Sequence, residues 1–145
     1  DRCLSRGLGD VYKRQVYIMR GVSGSGKSTL AQQLAGANGI IHSTDSYFYD
    51  SNGNYQFDPS LLGDNHQKNY TAFCDSLETH DVVIVDNTNT QEWEYEGYVR
   101  KAEASNYQVV YVVLKPSLRD AQVYADRNTH GVPLDAIHRQ IARFE

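Results

Sequence analysis

The chain has 145 residues, 40% of them hydrophobic, and a formal net charge of −4. This length fits one domain, and the longest apolar runs, such as residues 109–114, are too short to cross a bilayer, so we expect no membrane partner. Residues 37–105 carry 12 acidic and 3 basic side chains, which disfavours binding along a duplex but leaves room for gripping one strand end.

Residues 1–15 show neither helical nor alternating hydrophobic spacing and contain no apolar core of a secretory signal. Because the chain also begins without Met, we interpret this segment as a disordered arm or an added tail. The domain is then expected to span residues 16–145. The two cysteines, Cys3 and Cys74, lack metal-ligand spacing, and this favours a reducing, cytoplasmic location.

A glycine-rich loop is the central motif. Residues 21–29 read GVSGSGKST and fit G-x-x-x-x-G-K-[ST], the P-loop. A short buried strand is predicted at residues 16–19, and apolar residues at helical spacing follow the loop. Small residues let successive backbone amides curl around phosphate oxygens, Lys27 can reach the outer phosphates, and Ser28 can offer its hydroxyl to Mg²⁺. The residues predicted to bind nucleotide here are Gly21, Ser23, Gly24, Ser25, Gly26, Lys27, Ser28 and Thr29.

The second predicted strand, residues 40–44, delivers Asp45 at its carboxyl end, which is the ligand-binding end of a parallel sheet. A polar loop rich in aromatic side chains follows. These rings can stack on a ligand's base or sugar, although loop aromatics more often fold back onto their own domain. They are Tyr47, Phe48, Tyr49, Tyr55 and Phe57.

Asp58 and Pro59 predict the start of a helix that runs to about residue 79. His66 falls on its apolar stripe with Leu62 and Phe73, so a packed histidine is the default interpretation.

The third strand, residues 82–85, ends in Asp86, whose position favours ordering the water shell of Mg²⁺.

Asn89 follows that strand, and it can either bond substrate or cap the next helix, residues 91–105.

The fourth strand, residues 107–114, is almost entirely apolar, which predicts a central position covered on both faces. Ser117 begins a predicted capping box that opens a helix to about residue 128.

A break at residues 127–133 separates that helix from the last one, and such a pair of helices is typical of a hinged lid. The element order predicts an α/β fold with a mainly parallel sheet, helices on both faces and a C-terminal helical lid.

Four blocks in this order carry a family resemblance. They are RGVSGSGKST at residues 20–29, HSTDSYF at 42–48, VIVDNTN at 83–89 and RNTHGVP-x₃-I-x-R-x₃-RFE at 127–145. Residues 16–145 resemble the small P-loop kinases related to bacteriophage and animal polynucleotide kinases, a group also called AAA-type ATP-binding domains. The resemblance implies the P-loop NTPase fold and an ATP-dependent kinase that uses Mg²⁺. It also implies that Asp45 takes the proton from an acceptor hydroxyl and that Arg127 reaches the phosphates from the lid.

The chain departs from the family pattern in its acceptor region. Phage polynucleotide kinases carry an arginine three residues after the catalytic aspartate, where this chain has Phe48, and many relatives carry a second acid at the position of Ser46. The acceptor therefore stays open between a nucleic-acid 5′-hydroxyl, which leads, and a small sugar or nucleoside. A non-catalytic ATP-binding module is the third alternative.

Two further assignments complete the prediction. Lys27, Asp45 and Arg127 are the expected catalytic residues, with Ser28 and Asp86 on the metal side, although the roles of Asp45 and Asp86 could be exchanged. Tyr47 and Asn89 are candidate substrate contacts.

Overall fold

Four parallel strands form one sheet in the order β2-β3-β1-β4. The computed structural model describes residues 14–145, so the expected arm lies almost wholly outside the described residues. The strands are β1 Gln15–Arg20, β2 Ile40–His42, β3 Val82–Asp86 and β4 Gln108–Val113. The α-helices are α1 Lys27–Ala35, α2 Leu62–Ser76, α3 Glu92–Ala104, α4 Ala121–Arg127 and α5 Leu134–Arg143. Short 3₁₀ helices span Thr44–Phe48, Pro59–Leu61 and Leu118–Asp120.

Side chains of β1 alternate between two apolar layers. Val16 and Ile18 pack with Phe73 of α2 and Ala102 of α3 on one face. Met19 packs with Ala31 of α1 on the other face. Because helices cover both faces, the predicted α/β fold with a parallel sheet is confirmed, and this arrangement is the P-loop NTPase fold.

The fourth strand corrects one prediction. β4 lies at one end of the sheet formed by residues 14–145, whereas its apolar run had predicted a central strand. Tyr111 and Val113 are 49% and 47% exposed. β-branched and aromatic residues favour strands whether or not both faces are buried, so the run identified a strand without giving its place in the sheet.

Helix α2 is rotated relative to its predicted apolar stripe. Its buried side chains include Asn65, Asn69 and Phe73, while His66 is exposed, so the interpretation of His66 as a packed histidine is wrong. The buried amides are hydrogen-bonded: Asn69 Nδ2 donates to the Tyr98 hydroxyl at 3.1 Å, and Asn65 Nδ2 donates to a backbone carbonyl at 3.4 Å. Partners of this kind let polar residues occupy a buried helix face.

The C-terminal helices pack against the start of the P-loop. Tyr124 of α4 and Ile137 of α5 bury Val22 in a separate apolar cluster. The predicted capping box is wrong, because Ser117 makes no side-chain cap and a 3₁₀ turn precedes α4. The break itself is held by Asn128, whose Oδ1 accepts from the backbone amides of His130 and Val132 at 3.2 and 2.9 Å. Within residues 14–145, no helix is long and apolar enough to span a membrane.

Candidate active site

The P-loop leaves β1 and enters α1 through two glycines in the left-handed region. Gly24 has φ 80° and Gly26 has φ 95°, conformations that other residues rarely adopt. A Cβ atom on Gly24 would lie 2.0 Å from the carbonyl oxygen of Tyr124 in α4. The loop therefore needs glycine at this position both for its backbone conformation and for the close approach of α4.

Ser28 and Asp86 join the start of α1 to the end of β3. The Ser28 hydroxyl donates to Asp86 Oδ2 at 2.9 Å. Asp86 is 6% exposed, and its Oδ1 is buried without a hydrogen-bond partner among the described residues. A buried carboxylate oxygen without a partner is costly unless something else binds it. A hydroxyl, a carboxylate and nearby phosphates suit Mg²⁺ and its water shell, so the residues present fit this ion.

Two cavities open at the carboxyl end of the sheet. The smaller cavity, about 280 Å³, is lined by P-loop residues, by Lys27 and Ser28, and by the segment after α4. Arg127, the last residue of α4, and His130 of the following segment belong to the cavity wall. Its glycine loop, lysine and hydroxyl are the groups that hold phosphates in P-loop proteins.

The larger cavity, about 870 Å³, lies beside the smaller one. Aromatic side chains contribute much of its wall, together with Arg143 of α5 and Glu94 of α3. The aromatic members are Phe57, Tyr70, Trp93 and Tyr98. This size lies within the range of small-molecule sites in proteins.

Asp45 lines both cavities. It sits in the 3₁₀ turn after β2, where Tyr55 donates to Oδ1 at 3.5 Å and His130 Nδ1 lies 3.4 Å from Oδ2. Burial, reinforced by the charge of Asp45, raises the pKa of Tyr55 to about 12, so Tyr55 stays protonated and remains a donor. A half-exposed carboxylate is thus held at the boundary between a phosphate-binding cavity and a second ligand cavity.

Arg127 contacts the P-loop from the end of α4. Its Nε and Nη2 donate to the carbonyl oxygen of Gly24 at 3.2 and 2.9 Å. The guanidinium is exposed and lines the smaller cavity. Arg119, in the 3₁₀ turn just before α4, lines neither cavity.

The two candidate substrate contacts occupy different positions. Asn89 lines the larger cavity, but it is fully buried and its Nδ2 donates to the carbonyl of Met19 at 2.8 Å. It caps no helix, because Gln91 is the N-cap of α3. Tyr47 belongs to neither cavity wall, and its carbonyl accepts from Asn65.

The loop aromatics pack mostly against one another. The ring of Phe48 is 5.0 Å from that of Phe57, and Tyr55 stacks on His130 at 4.2 Å between centroids. These side chains therefore fold back onto their own domain, which was one of the two alternatives that the sequence left open. Among the five loop rings, Phe57 lines the larger cavity.

Two polar residues at this end of the sheet make contacts that the sequence did not predict. Asn87 Oδ1 accepts from the Thr44 amide at 2.9 Å and so joins the ends of β3 and β2. The side-chain amide of Gln140 in α5 is hydrogen-bonded to Ser23 of the P-loop. Asn87 lies within the block at residues 83–89 that carries the family resemblance, whereas no local pattern marks Gln140.

This fold and loop define a P-loop nucleotide-binding protein. A family model described as "AAA domain" matches residues 16–145, and the chain belongs to that family. NEDD4-binding protein 2 from Homo sapiens is 38% identical over 137 residues, which cover 88% of this chain and 7% of that protein. The chain therefore corresponds to a small part of that relative.

Two solved structures share the fold. A chain of the Pnkp1/Rnl/Hen1 RNA repair complex aligns with TM-score 0.71 and 17% identity, over 91% of this chain and 44% of that chain. A gluconokinase from Sinorhizobium meliloti 1021 aligns with TM-score 0.61 and 19% identity, over 91% of this chain and 75% of that one. Similarity at this level of identity concerns the fold alone.

Proposed function

We propose that this chain is an ATP-dependent kinase that transfers the γ-phosphate of ATP to a hydroxyl group. One observation carries the proposal: Asp45 lines both the smaller cavity, which contains the P-loop, and the larger cavity. A kinase needs a group that reaches both the transferred phosphate and the attacking hydroxyl. The place of Asp45 in the walls of both cavities supports this role.

The donor side is assigned to the smaller cavity. The P-loop amides and Lys27 bind the β- and γ-phosphates of ATP, and Ser28 and Asp86 hold Mg²⁺ with its water. Mg²⁺, when bound there, supplies positive charge that neutralises the phosphate oxygens. The hydrogen bond between Ser28 and Asp86 keeps both ligands at the same edge of the sheet.

On the acceptor side, Asp45 takes the proton of the attacking hydroxyl. The acceptor oxygen forms a bond to the γ-phosphorus as the bond from phosphorus to the β–γ bridging oxygen breaks, which leaves ADP. Tyr55 and His130 hold the Asp45 carboxylate in place. Arg127 neutralises charge that develops on the transferred group. In the alternative assignment, Asp86 is the base and Asp45 stands on the metal side.

A nucleic-acid 5′-hydroxyl is the acceptor class that we favour. Aromatic rings in the larger cavity suit a base-bearing ligand, because bases stack on aromatic faces. Phe48, at the position of the phage arginine, is 3% exposed, so it offers no contact to an acceptor. Arg143 in the cavity wall is a cation that could contact a strand phosphate instead. The fold similarity to a chain of an RNA repair complex agrees with this choice.

A small metabolite is the second candidate acceptor, and the fold similarity to a gluconokinase favours it. Transfer of labelled γ-phosphate separates the two when a 5′-hydroxyl oligonucleotide is compared with gluconate and free nucleosides. We expect label on the oligonucleotide. Label on a metabolite alone would exclude the nucleic-acid acceptor, and ATP binding with neither transfer nor hydrolysis would favour a non-catalytic module.

A further inference from the structure

Gln140 of α5 connects the two cavities. Its side chain lines the larger cavity and is hydrogen-bonded to Ser23, which lines the smaller cavity. Ser23 is the third residue of the P-loop. The two residues are 117 positions apart in the chain, so the contact depends on the packing of α5 against the loop.

The contact is a pair of bonds between one amide and one serine. The Ser23 backbone amide donates to Gln140 Oε1 at 2.8 Å, and Gln140 Nε2 donates to Ser23 Oγ at 3.1 Å. The amide group can face Ser23 in this orientation alone, because the reversed one would set two N–H donors against each other. The side chain of Gln140 therefore constrains both the backbone and the hydroxyl of Ser23.

Rigid packing fixes both ends of this contact. Ile137, one helical turn before Gln140, is fully buried against Val22, the residue that precedes Ser23. The residues after α5 are fixed as well, since the Glu145 carbonyl accepts from Arg20 of β1 at 2.9 Å. The amide of Gln140 is thus presented from a helix that is anchored to the loop and to the sheet.

We propose that Gln140 is a positioning residue that holds the front of the P-loop for phosphate transfer and links the acceptor cavity to it. This inference rests on the kinase function proposed above. Gln140 acts through Ser23, so its loss should slow transfer more than it weakens ATP binding, which depends on Lys27 and the later loop amides. A neutral side chain that bonds a loop amide could instead compete with a phosphate oxygen, and the experiment separates these two roles.

The test compares Gln140→Met, which keeps the length of the side chain but removes both bonds, with Gln122→Met on the exposed face of α4. For Gln140→Met we expect kcat to fall roughly tenfold, ATP affinity by calorimetry to change less than about threefold, and thermal stability to match the control. Ser23→Ala should show a smaller loss of kcat, and the double variant should lose less than the product of the two single effects. Faster hydrogen exchange of the Ser23 amide in Gln140→Met reports the same contact without catalysis.

The outcomes are distinguishable. Wild-type kcat in Gln140→Met, or additive effects with Ser23→Ala, would overturn the inference while leaving the kinase function intact. Tighter ATP binding in Gln140→Met would also overturn it, since Gln140 would then occupy an amide that the nucleotide needs. If the wild type transfers no phosphate, the proposed kinase function is wrong. Hydrogen exchange of the Ser23 amide tests the contact without catalysis, and an unchanged exchange rate in Gln140→Met would reject it.

Discussion

The hydroxyl of Ser28, at the start of α1, donates to Asp86 at the end of β3 over 2.9 Å. This bond places the two proposed magnesium ligands together and leaves the second oxygen of Asp86 buried without a partner among residues 14–145. The two groups proposed to hold the ion therefore already lie next to each other in the protein.

Replacing Asp86 by Asn should weaken magnesium-dependent binding of ATP by roughly 10- to 100-fold, because Asn can still accept from Ser28 but lacks the charge that orders the ion and its water. Calorimetric titration of ATP with and without Mg²⁺ measures this. ATP binding by the variant should respond little to added magnesium. An unchanged magnesium response would show that Asp86 does not serve the ion.

Arg127 gives a second prediction. Arg127→Ala should lower kcat by roughly 10³-fold with little change in ATP affinity, because a lid arginine acts on charge that develops during transfer. Arg119→Ala is the matched control, as Arg119 is also exposed, lies just before α4 and lines neither cavity. Equal turnover of the two variants would contradict the assignment of Arg127.

Arg20 gives a prediction about stability. Arg20 is 8% exposed. Its guanidinium donates to the carbonyls of Asn89, Thr90 and Glu145 and lies 4.9 Å from the ring centroid of Phe144. Arg20→Met should lower the free energy of unfolding by about 3–5 kcal/mol, since it removes three hydrogen bonds from a charged donor, including the bond to the buried carbonyl of Asn89.

Chemical denaturation measures this loss, with exposed Arg100→Met as the control, which should cost less than about 0.5 kcal/mol. If Arg20→Met does not fold, Phe144→Leu should still lose about 1 kcal/mol through the missing cation–π contact. Stability equal to wild type in both variants would refute the role of this arginine.

His42 makes stability depend on pH. Burial, with a smaller effect of His80, lowers the pKa of His42 from 6.5 to about 4, and its Nε2 lies 2.9 Å from the Ser76 hydroxyl. The unfolded chain takes up a proton below pH 6.5 while the folded chain does not. Stability is therefore full above pH 6.5, falls as the pH drops to about 4, and changes no further through this group below that.

We expect a loss of about 2 kcal/mol across that window, after allowance for solvent screening at the edge of the ring. Denaturation curves between pH 4 and 7 measure it. His42→Gln should flatten the dependence, whereas His138→Gln on the exposed face of α5 should keep it. The same slope in His42→Gln and wild type would contradict the explanation.

Local patterns in the sequence predicted the parts of the fold that depend on neighbouring residues. Short stretches of sequence predicted the P-loop, the strands that precede Asp45 and end in Asp86, and the break before α5. Each of these features depends on residues only a few positions apart. The edge position of β4 and the rotation of α2 depend on which elements pack together, and hydrophobic spacing does not contain that information. His66 shows this, because α2 buries Asn65 and Asn69, whose side-chain nitrogens are hydrogen-bonded, and leaves His66 exposed.

Contacts across long stretches of sequence were likewise beyond prediction. Gln140 is hydrogen-bonded to Ser23, 117 positions away in the chain, and Arg20 is hydrogen-bonded to Glu145, 125 positions away. Neither pair carries a local signal. Such contacts join the P-loop to α5 and the sheet to the residues after it, so they could be read only from the structure.

The central claim is that Asp45 accepts the proton of the attacking hydroxyl between the two cavities. Single-turnover transfer of labelled phosphate from ATP to a 5′-hydroxyl oligonucleotide tests it directly in Asp45→Asn, with exposed Asp64→Asn as the control. We predict near wild-type binding of ATP and a transfer rate lower by roughly 10²–10⁴-fold in Asp45→Asn. Transfer by Asp45→Asn at the wild-type rate would contradict the claim.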